Sequence, residues 1–173
     1  MTYLKNIIRT VPDFPIEGVQ FRDITSLLED PEAFGGAVQQ CCFHAHRFRA
    51  DCVVAVESRG FIFGAPISTQ LKIPFIPARK PGKLPNETIS QQFDLEYGST
   101  EIHLQTISPI SGRVVIVDDL IATGGTAKAA AKLINKLKPR EIRFHFIIDL
   151  NNLGGFEKIR DGFEACSLIK SSG

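Results

Sequence analysis

The sequence predicts an α/β domain with a central, mostly parallel sheet flanked by helices. Three observations carry this. Short β-branched runs without alternation, "CVVAV" at 52–56 and "VVIV" at 114–117, read as strands buried on both faces. Stretches with helical periodicity lie between such runs, so strands and helices alternate along the chain. The 173 residues suit one domain with a proper core, and no linker, repeat or low-complexity tract divides residues 1–173.

In chain order, Leu4, Ile7 and Ile8 predict a short first helix, ended by Pro12. "PDFPIEGVQFRDIT" reads as irregular and partly extended. Asp30-Pro31 opens a helix with a cap and a proline in its first turn. Phe34, Ala37, Val38, Cys41, Cys42 and Ala45 form its inner face. The strand at 52–56 leads to a helix over 61–71 and a strand at 74–78. "RKPGKLPNETISQQ" is polar and rich in breakers and reads as a long exposed loop. Segments 93–97 and 102–104 form a hairpin-like pair around Gly98. After 114–117, positions 127–137 place Ala130, Ala131, Ile134 and Leu137 on one helical stripe. A strand near 142–148, a short helix near Phe156 and a strand near 163–169 complete the chain.

Composition removes several function classes. A net charge of +1 leaves no basic stripe for nucleic acid. No apolar run approaches a membrane span, and "MTYLKNIIRTVPDF" lacks the apolar core of a signal peptide. Cys41, Cys42, Cys52 and Cys166 show no C-x-x-C spacing and read as free thiols in a reducing cytoplasm.

The chemistry concentrates in "VVIVDDLIATGGTAKAAAKLI", 114–134: strand, acidic tip, glycine turn, helix. In an open α/β sheet, ligands bind at the carboxyl ends of the strands. Backbone N–H groups of Ala122, Thr123, Gly124, Gly125 and Thr126 can converge on a phosphate, with the Thr126 hydroxyl capping the helix. Asp118 and Asp119 would repel that phosphate, so they face hydroxyl groups or a metal ion. A sugar phosphate satisfies both demands. A second strand–turn–helix, "VESRGFIFGAP", puts Arg59 beside the same crevice, with Gly60 permitting the turn. It suits a second phosphate group, or else Arg59 pairs with Glu57 at the surface. Arg79, Lys80 and Lys83 gather three cations around Pro81-Gly82 at the base of a loop able to close over a site.

The segment from Asp118-Asp119 through Leu120-Ile121-Ala122 to Thr123-Gly124-Gly125-Thr126 resembles the phosphoribosyl-pyrophosphate signature of the type I phosphoribosyltransferases. "PDFPIEGVQFRDIT", "ESRGFIFG", "RKPGKLP" and "DLEYG", in order and without large gaps, are similar to the adenine-specific members. The resemblance implies a type I phosphoribosyltransferase fold, with a small hood from about 12–25 and 149–155 and a flexible lid over about 80–97. It implies transfer of 5-phosphoribosyl from phosphoribosyl pyrophosphate to adenine, giving AMP and pyrophosphate. It further implies Mg2+ carried by the substrate, with Asp118 and Asp119 meeting it through water or holding the ribose hydroxyls directly, and a homodimer. Pyrophosphate binding maps to Glu57, Ser58, Arg59 and Gly60, with a cis Glu57–Ser58 bond. Arg79, Lys80 and Lys83 join that set. Arg59 and Glu96 map as catalytic, and Glu96 either manages the proton on the base or orders the lid. Gln20, Phe21 and Arg22 map to the adenine site, with Leu150 or Leu153 on its far side. Two departures stand out: Glu57 where some relatives have Asp, and Phe93 where many carry Tyr.

Other readings stay in view. A P-loop ATPase fails because no G-x-x-x-x-G-K-[ST] exists in the chain. A non-catalytic regulator on the same fold would need a nucleic-acid-binding element. A sister enzyme acting on hypoxanthine, guanine or xanthine is the nearest rival.

Overall fold

The computed structural model describes residues 2–95 and 98–172. Its elements are α1 (Thr2–Ile7), β1 (Arg9–Pro12), β2 (Gln20–Asp23), α2 (Thr25–Leu28), α3 (Pro31–Phe48), β3 (Cys52–Val56), α4 (Gly60–Leu71) and β4 (Phe75–Ala78). They continue with β5 (Thr88–Leu95), β6 (Gly98–Gln105), β7 (Arg113–Ile121), α5 (Gly125–Asn135), β8 (Glu141–Leu150), a 3-10 turn (Asn151–Leu153), α6 (Gly155–Arg160) and β9 (Glu164–Ser171).

The central sheet has the order β4-β3-β7-β8-β9, and every pair in it is parallel. Two antiparallel pairs stand beside it, β1-β2 and β5-β6. The continuous apolar runs have a physical reason. Val54, Val114 and Ile116 pack with Ala127, Ala130, Leu133 and Ile134 of α5 on one face. Val53, Val115 and Val117 pack with Ala37, Val38 and Cys41 of α3 and Phe63 of α4 on the other. A strand covered on both faces gains nothing from alternating polar residues. The expected inner face of α3 is buried, with Phe34 partly so, and Asp30 Oδ1 accepts from the N–H of Glu32 and of Ala33 at 3.0 Å each. All four cysteines are free. No helix among the described residues is long and apolar enough to cross a membrane.

Several expectations need correction. The first helix ends at Ile7, and Pro12 closes β1 instead. An edge strand of a two-stranded pair tolerates proline because its N–H is not required by a further neighbour. The exposed loop is shorter than expected, because Thr88–Leu95 is a strand paired with β6 from Thr88↔Gln105 to Leu95↔Gly98. Ile89 and Phe93, on one face of that strand, pack against the α5-side core, and the Lys136 ammonium donates to Ser90 O at 2.6 Å. Strand β7 runs on through both acids to Ile121, so the acids lie within the strand and not past its end. Helix α5 starts at Gly125 behind Gly124 (φ 85°), with no side-chain cap, so the Thr126 hydroxyl does not cap it.

Candidate active site

A cavity of about 440 Å3 opens at the carboxyl ends of β3 and β7. Its lining brings together Glu57, Ser58 and Arg59 from the β3–α4 turn, Asp118 and Asp119 from β7, and Ala122, Thr123, Gly124, Gly125 and Thr126 from the turn into α5. Two segments predicted from positions some sixty residues apart, by the numbering of the chain, thus share one crevice. The parallel β3–β7 pairing, Ala55↔Val117, is what joins them. The Glu57–Ser58 peptide bond is cis, as expected. Gly60 is required by close approach: a Cβ there would stand 2.7 Å from Val117 O and 3.2 Å from Asp118 Oδ1.

Charges in the crevice are arranged in pairs that the sequence did not specify. Arg59 Nε lies 2.8 Å from Asp119 Oδ2, an ion pair whose N–H is not aimed for a hydrogen bond. Arg59 therefore does not pair with Glu57. Glu57 instead takes Arg79, Nε to Oε2 at 3.0 Å, and accepts the Lys80 N–H at 3.0 Å. Arg79 also donates to Lys83 O at 2.9 Å. The Arg79 hydrogen bond, with help from Lys80 and Lys83, holds the Glu57 carboxyl below its ordinary range. Arg79 and Lys80, with Glu57 and Thr126, line an adjoining space of about 190 Å3 against Phe93 of the β5–β6 hairpin. Lys83 lines neither cavity.

Asp118 is the least comfortable group in the crevice. Burial and the neighbouring Asp119 push its carboxyl well above the ordinary carboxylate range, opposed by the Asp119 N–H, which donates to Asp118 Oδ1 at 2.9 Å. Asp119 is 4% exposed, and burial raises it too, against the pull of Arg59. Two adjacent acids, Asp119 buried and Asp118 half-buried, with one guanidinium at Asp119, carry an excess of negative charge that hydroxyl groups or a cation would relieve.

The segment mapped to the base sits apart from this lining. Phe21 meets Arg59, whose Cζ lies 5.9 Å from the ring centroid, and packs edge-on against Phe14 at 5.0 Å. The Arg22 side chain turns away to Thr10 and to the main chain of Ser172. The main chain of β2 is more informative. Pro12 has no N–H, so the Pro12↔Gln20 pair cannot be a reciprocally bonded one. Antiparallel pairs alternate, so Val11↔Phe21 is the bonded pair and Thr10↔Arg22 is not. The C=O of Gln20 and the N–H of Arg22 therefore point together, away from β1. Leu150 ends β8, half-buried beside the α3-side core, and Leu153 is exposed in the turn that follows. Glu96 lies outside the described residues.

Sequence reading missed the wall behind the 122–126 turn. Gly155 N donates to Ala122 O at 3.0 Å. A Cβ at 155 would stand 2.2 Å from Ala122 O, 2.6 Å from Gly124 N and 2.7 Å from Thr123 C, all of them backbone. Gly155 thus fixes where the glycine turn sits. Gly155→Ala is expected to weaken phosphate binding at this turn by about tenfold or more. Phosphate-induced shifts in thermal unfolding read this, and an unchanged shift would show that the contact does not set the turn. Asp149, opposite Ile121 in the β7–β8 register, is also buried (2% exposed), with no partner for Oδ1, and burial raises its carboxyl. No pattern in the sequence marks it.

The comparisons with known proteins fit this crevice. A family model described as the phosphoribosyl transferase domain matches residues 24–167. Adenine phosphoribosyltransferase of Yersinia pseudotuberculosis is 44% identical over 176 aligned positions, covering 100% of this chain and 94% of the relative. The chain belongs to the adenine phosphoribosyltransferase family. Solved structures of the family agree in shape. The Thermoanaerobacter pseudethanolicus member superposes with a TM-score of 0.90 at 43% identity, covering 98% of this chain and 99% of that one. The Saccharomyces cerevisiae member, solved with adenine and an imino-altritol bisphosphate, gives 0.90 at 34% identity with 97% of each chain covered. Members of this family are transferases of the pentosyl class, and the type I fold expected from the sequence is the one observed.

Proposed function

We propose that this chain transfers the 5-phosphoribosyl group of phosphoribosyl pyrophosphate to adenine, releasing AMP and pyrophosphate, as a purine-salvage enzyme. The observation that carries the reading is the meeting of Asp118-Asp119, the 122–126 turn and the Ser58-Arg59 turn around one cavity. The turn's N–H groups take the 5-phosphate at the start of α5. Asp118 and Asp119 take the ribose hydroxyls. Ser58, Arg59 and Gly60 receive pyrophosphate, with Glu57 anchoring Arg79 and Lys80 beside it and Lys83 following on the loop. The bond that forms joins adenine N9 to ribose C1. The bond that breaks is C1–O to pyrophosphate, which leaves with the electron pair. Positive charge builds on the ribose ring, where the two carboxylates can face it, and negative charge builds on the leaving group, where Arg59 can.

Among the described residues no group of three His, Cys, Asp or Glu side chains could hold a metal ion. Mg2+ keeps its waters and binds through substrate phosphates and one or two carboxylates, and Asp118 and Asp119 would supply those carboxylates. When bound, it neutralises pyrophosphate as a leaving group. Glu96, by family resemblance, manages the proton on the base or orders the lid.

Residues 12–25, which include β2, form the proposed hood together with 149–155, and the segment 80–97 the proposed lid. Substrates are expected to protect bonds at 83–87 from protease, and equal cleavage with and without them would count against closure. The proposed assembly is a cytoplasmic homodimer, and sedimentation at micromolar concentration reads its size. The function itself is tested by turnover of adenine, hypoxanthine, guanine and xanthine with phosphoribosyl pyrophosphate and Mg2+. Adenine should be converted to AMP with kcat/KM far above the others. Comparable values for hypoxanthine would move the protein to a sister activity.

A further inference from the structure

A second cavity, of about 270 Å3, lies between the C-terminal part of α3 and the start of the β8–β9 pair. It shares no lining residue with the first crevice and sits at the other end of the sheet, where the β8–β9 pairing begins at Arg143↔Glu164. His145 and Cys166 are direct partners in the β8–β9 register, so their side chains stand side by side on one face. His44 faces them from α3, with ring centroids 6.0 Å apart, and Arg47 follows almost one turn later.

The unspent polar groups of this cavity can all act as donors. His145 is 3% exposed, and its Nδ1 has no partner. Burial, with His44 and Arg143 nearby, pushes its pKa down to about 3, so the ring is neutral and keeps one N–H. Burial pushes the Cys166 thiol up to about 12, against Arg143, so it stays protonated. Arg47 has no ion-pair partner among the described residues and lies over the Phe43 ring at 5.7 Å. The single carboxylate in the lining, Glu164, is already taken, Oε2 to Arg143 Nη1 at 2.8 Å. Arg143 is also held by Glu141 at 3.2 Å and rests 4.3 Å over the Phe48 ring. A cation finds no set of ligands here. A ligand that only accepts would satisfy Arg47, His145 and Cys166 together, and a buried orphan nitrogen is costly without one.

We propose that this cavity binds a small oxyanion of the phosphate class, separate from the catalytic crevice and independent of the base that the enzyme uses. Arg47 supplies the charge, and His145, in the tautomer with hydrogen on Nδ1, supplies the buried donor. The chain has four histidines, His44, His46, His103 and His145, and none lies in the 122–126 turn, so imidazole proton NMR reports this cavity apart from the catalytic one. Inorganic phosphate, pyrophosphate and AMP are titrated at constant ionic strength. Saturable shifts are expected at His44 and His145, and Arg47→Gln should weaken them by about tenfold while leaving unchanged any shift at His103, whose main chain pairs with Arg79 of the catalytic side. Half-saturation at lower AMP than inorganic phosphate assigns a nucleotide phosphate, and the reverse order assigns the free ion. His145→Phe, which fills the same space, should abolish the His44 shift. No saturable shift with any probe, or shifts unchanged in Arg47→Gln, would overturn the site.

Discussion

Asp118→Asn should lower turnover by about 10²-fold or more while raising thermal stability at neutral pH. The two effects have one cause. The folded protein holds the Asp118 carboxyl well above its ordinary range, chiefly by burial and by Asp119. Between the ordinary carboxylate value and the raised folded value, the native state therefore binds more protons than the unfolded chain. Stability falls as pH rises through that window and stays low above it. Asparagine removes the charge but keeps an oxygen able to accept the Asp119 N–H that now reaches Asp118 Oδ1 at 2.9 Å. The variant should melt a few degrees higher at neutral pH, the response of a domain this size to about 1 kcal/mol. The gap should close at acid pH, where the native carboxyl is protonated. Melting curves across pH, run beside initial rates, check both halves. A variant that loses stability at neutral pH, or keeps its activity, would remove Asp118 from the ribose site.

Gln20→Val should leave the preference for adenine nearly intact. The C=O of Gln20 and the N–H of Arg22 point together away from β1, offering one acceptor beside one donor. Adenine presents the complement, an N6 amino donor beside the N1 acceptor. Hypoxanthine and guanine present an acceptor at O6 beside a protonated N1, so both contacts turn repulsive. A buried mismatch of this kind discriminates by about 10⁴–10⁵. Residue 20 is exposed, and its side chain is not needed for the contact. Competition between adenine and hypoxanthine in the variant measures the ratio. A collapse of preference would move selection from backbone to side chain.

Much of the sheet could be read directly because β3 and β7 are covered on both faces, which leaves uninterrupted β-branched runs. The start of α3 was equally plain, since Asp30-Pro31 writes a cap and a first-turn proline into two letters. The end of β5 was read as part of a hairpin, but its first residues, 88–92, were hidden because Ile89 is the one apolar residue among them and the breakers just before suggested a loop. The extension of β7 through Asp118 and Asp119 runs against propensity, and backbone pairing, Asp118↔Phe146 and Leu120↔Ile148, overrides it. In the crevice, the 122–126 turn and the end of β3 followed from local pattern. The Arg59–Asp119 and Glu57–Arg79 pairs did not, because which acid meets which guanidinium depends on how separate turns come together. Gly155 was invisible for the same reason: its role is a contact with a turn thirty residues earlier in the chain.

Group transfer differs from binding or hydrolysis of the sugar phosphate in the products it leaves. Phosphorus NMR of the purified protein with adenine, phosphoribosyl pyrophosphate and Mg2+ follows every phosphate at once. AMP and pyrophosphate should appear in equal amounts as phosphoribosyl pyrophosphate disappears, and omitting adenine should stop both. Phosphoribosyl pyrophosphate left unchanged, or pyrophosphate released without AMP, would contradict group transfer.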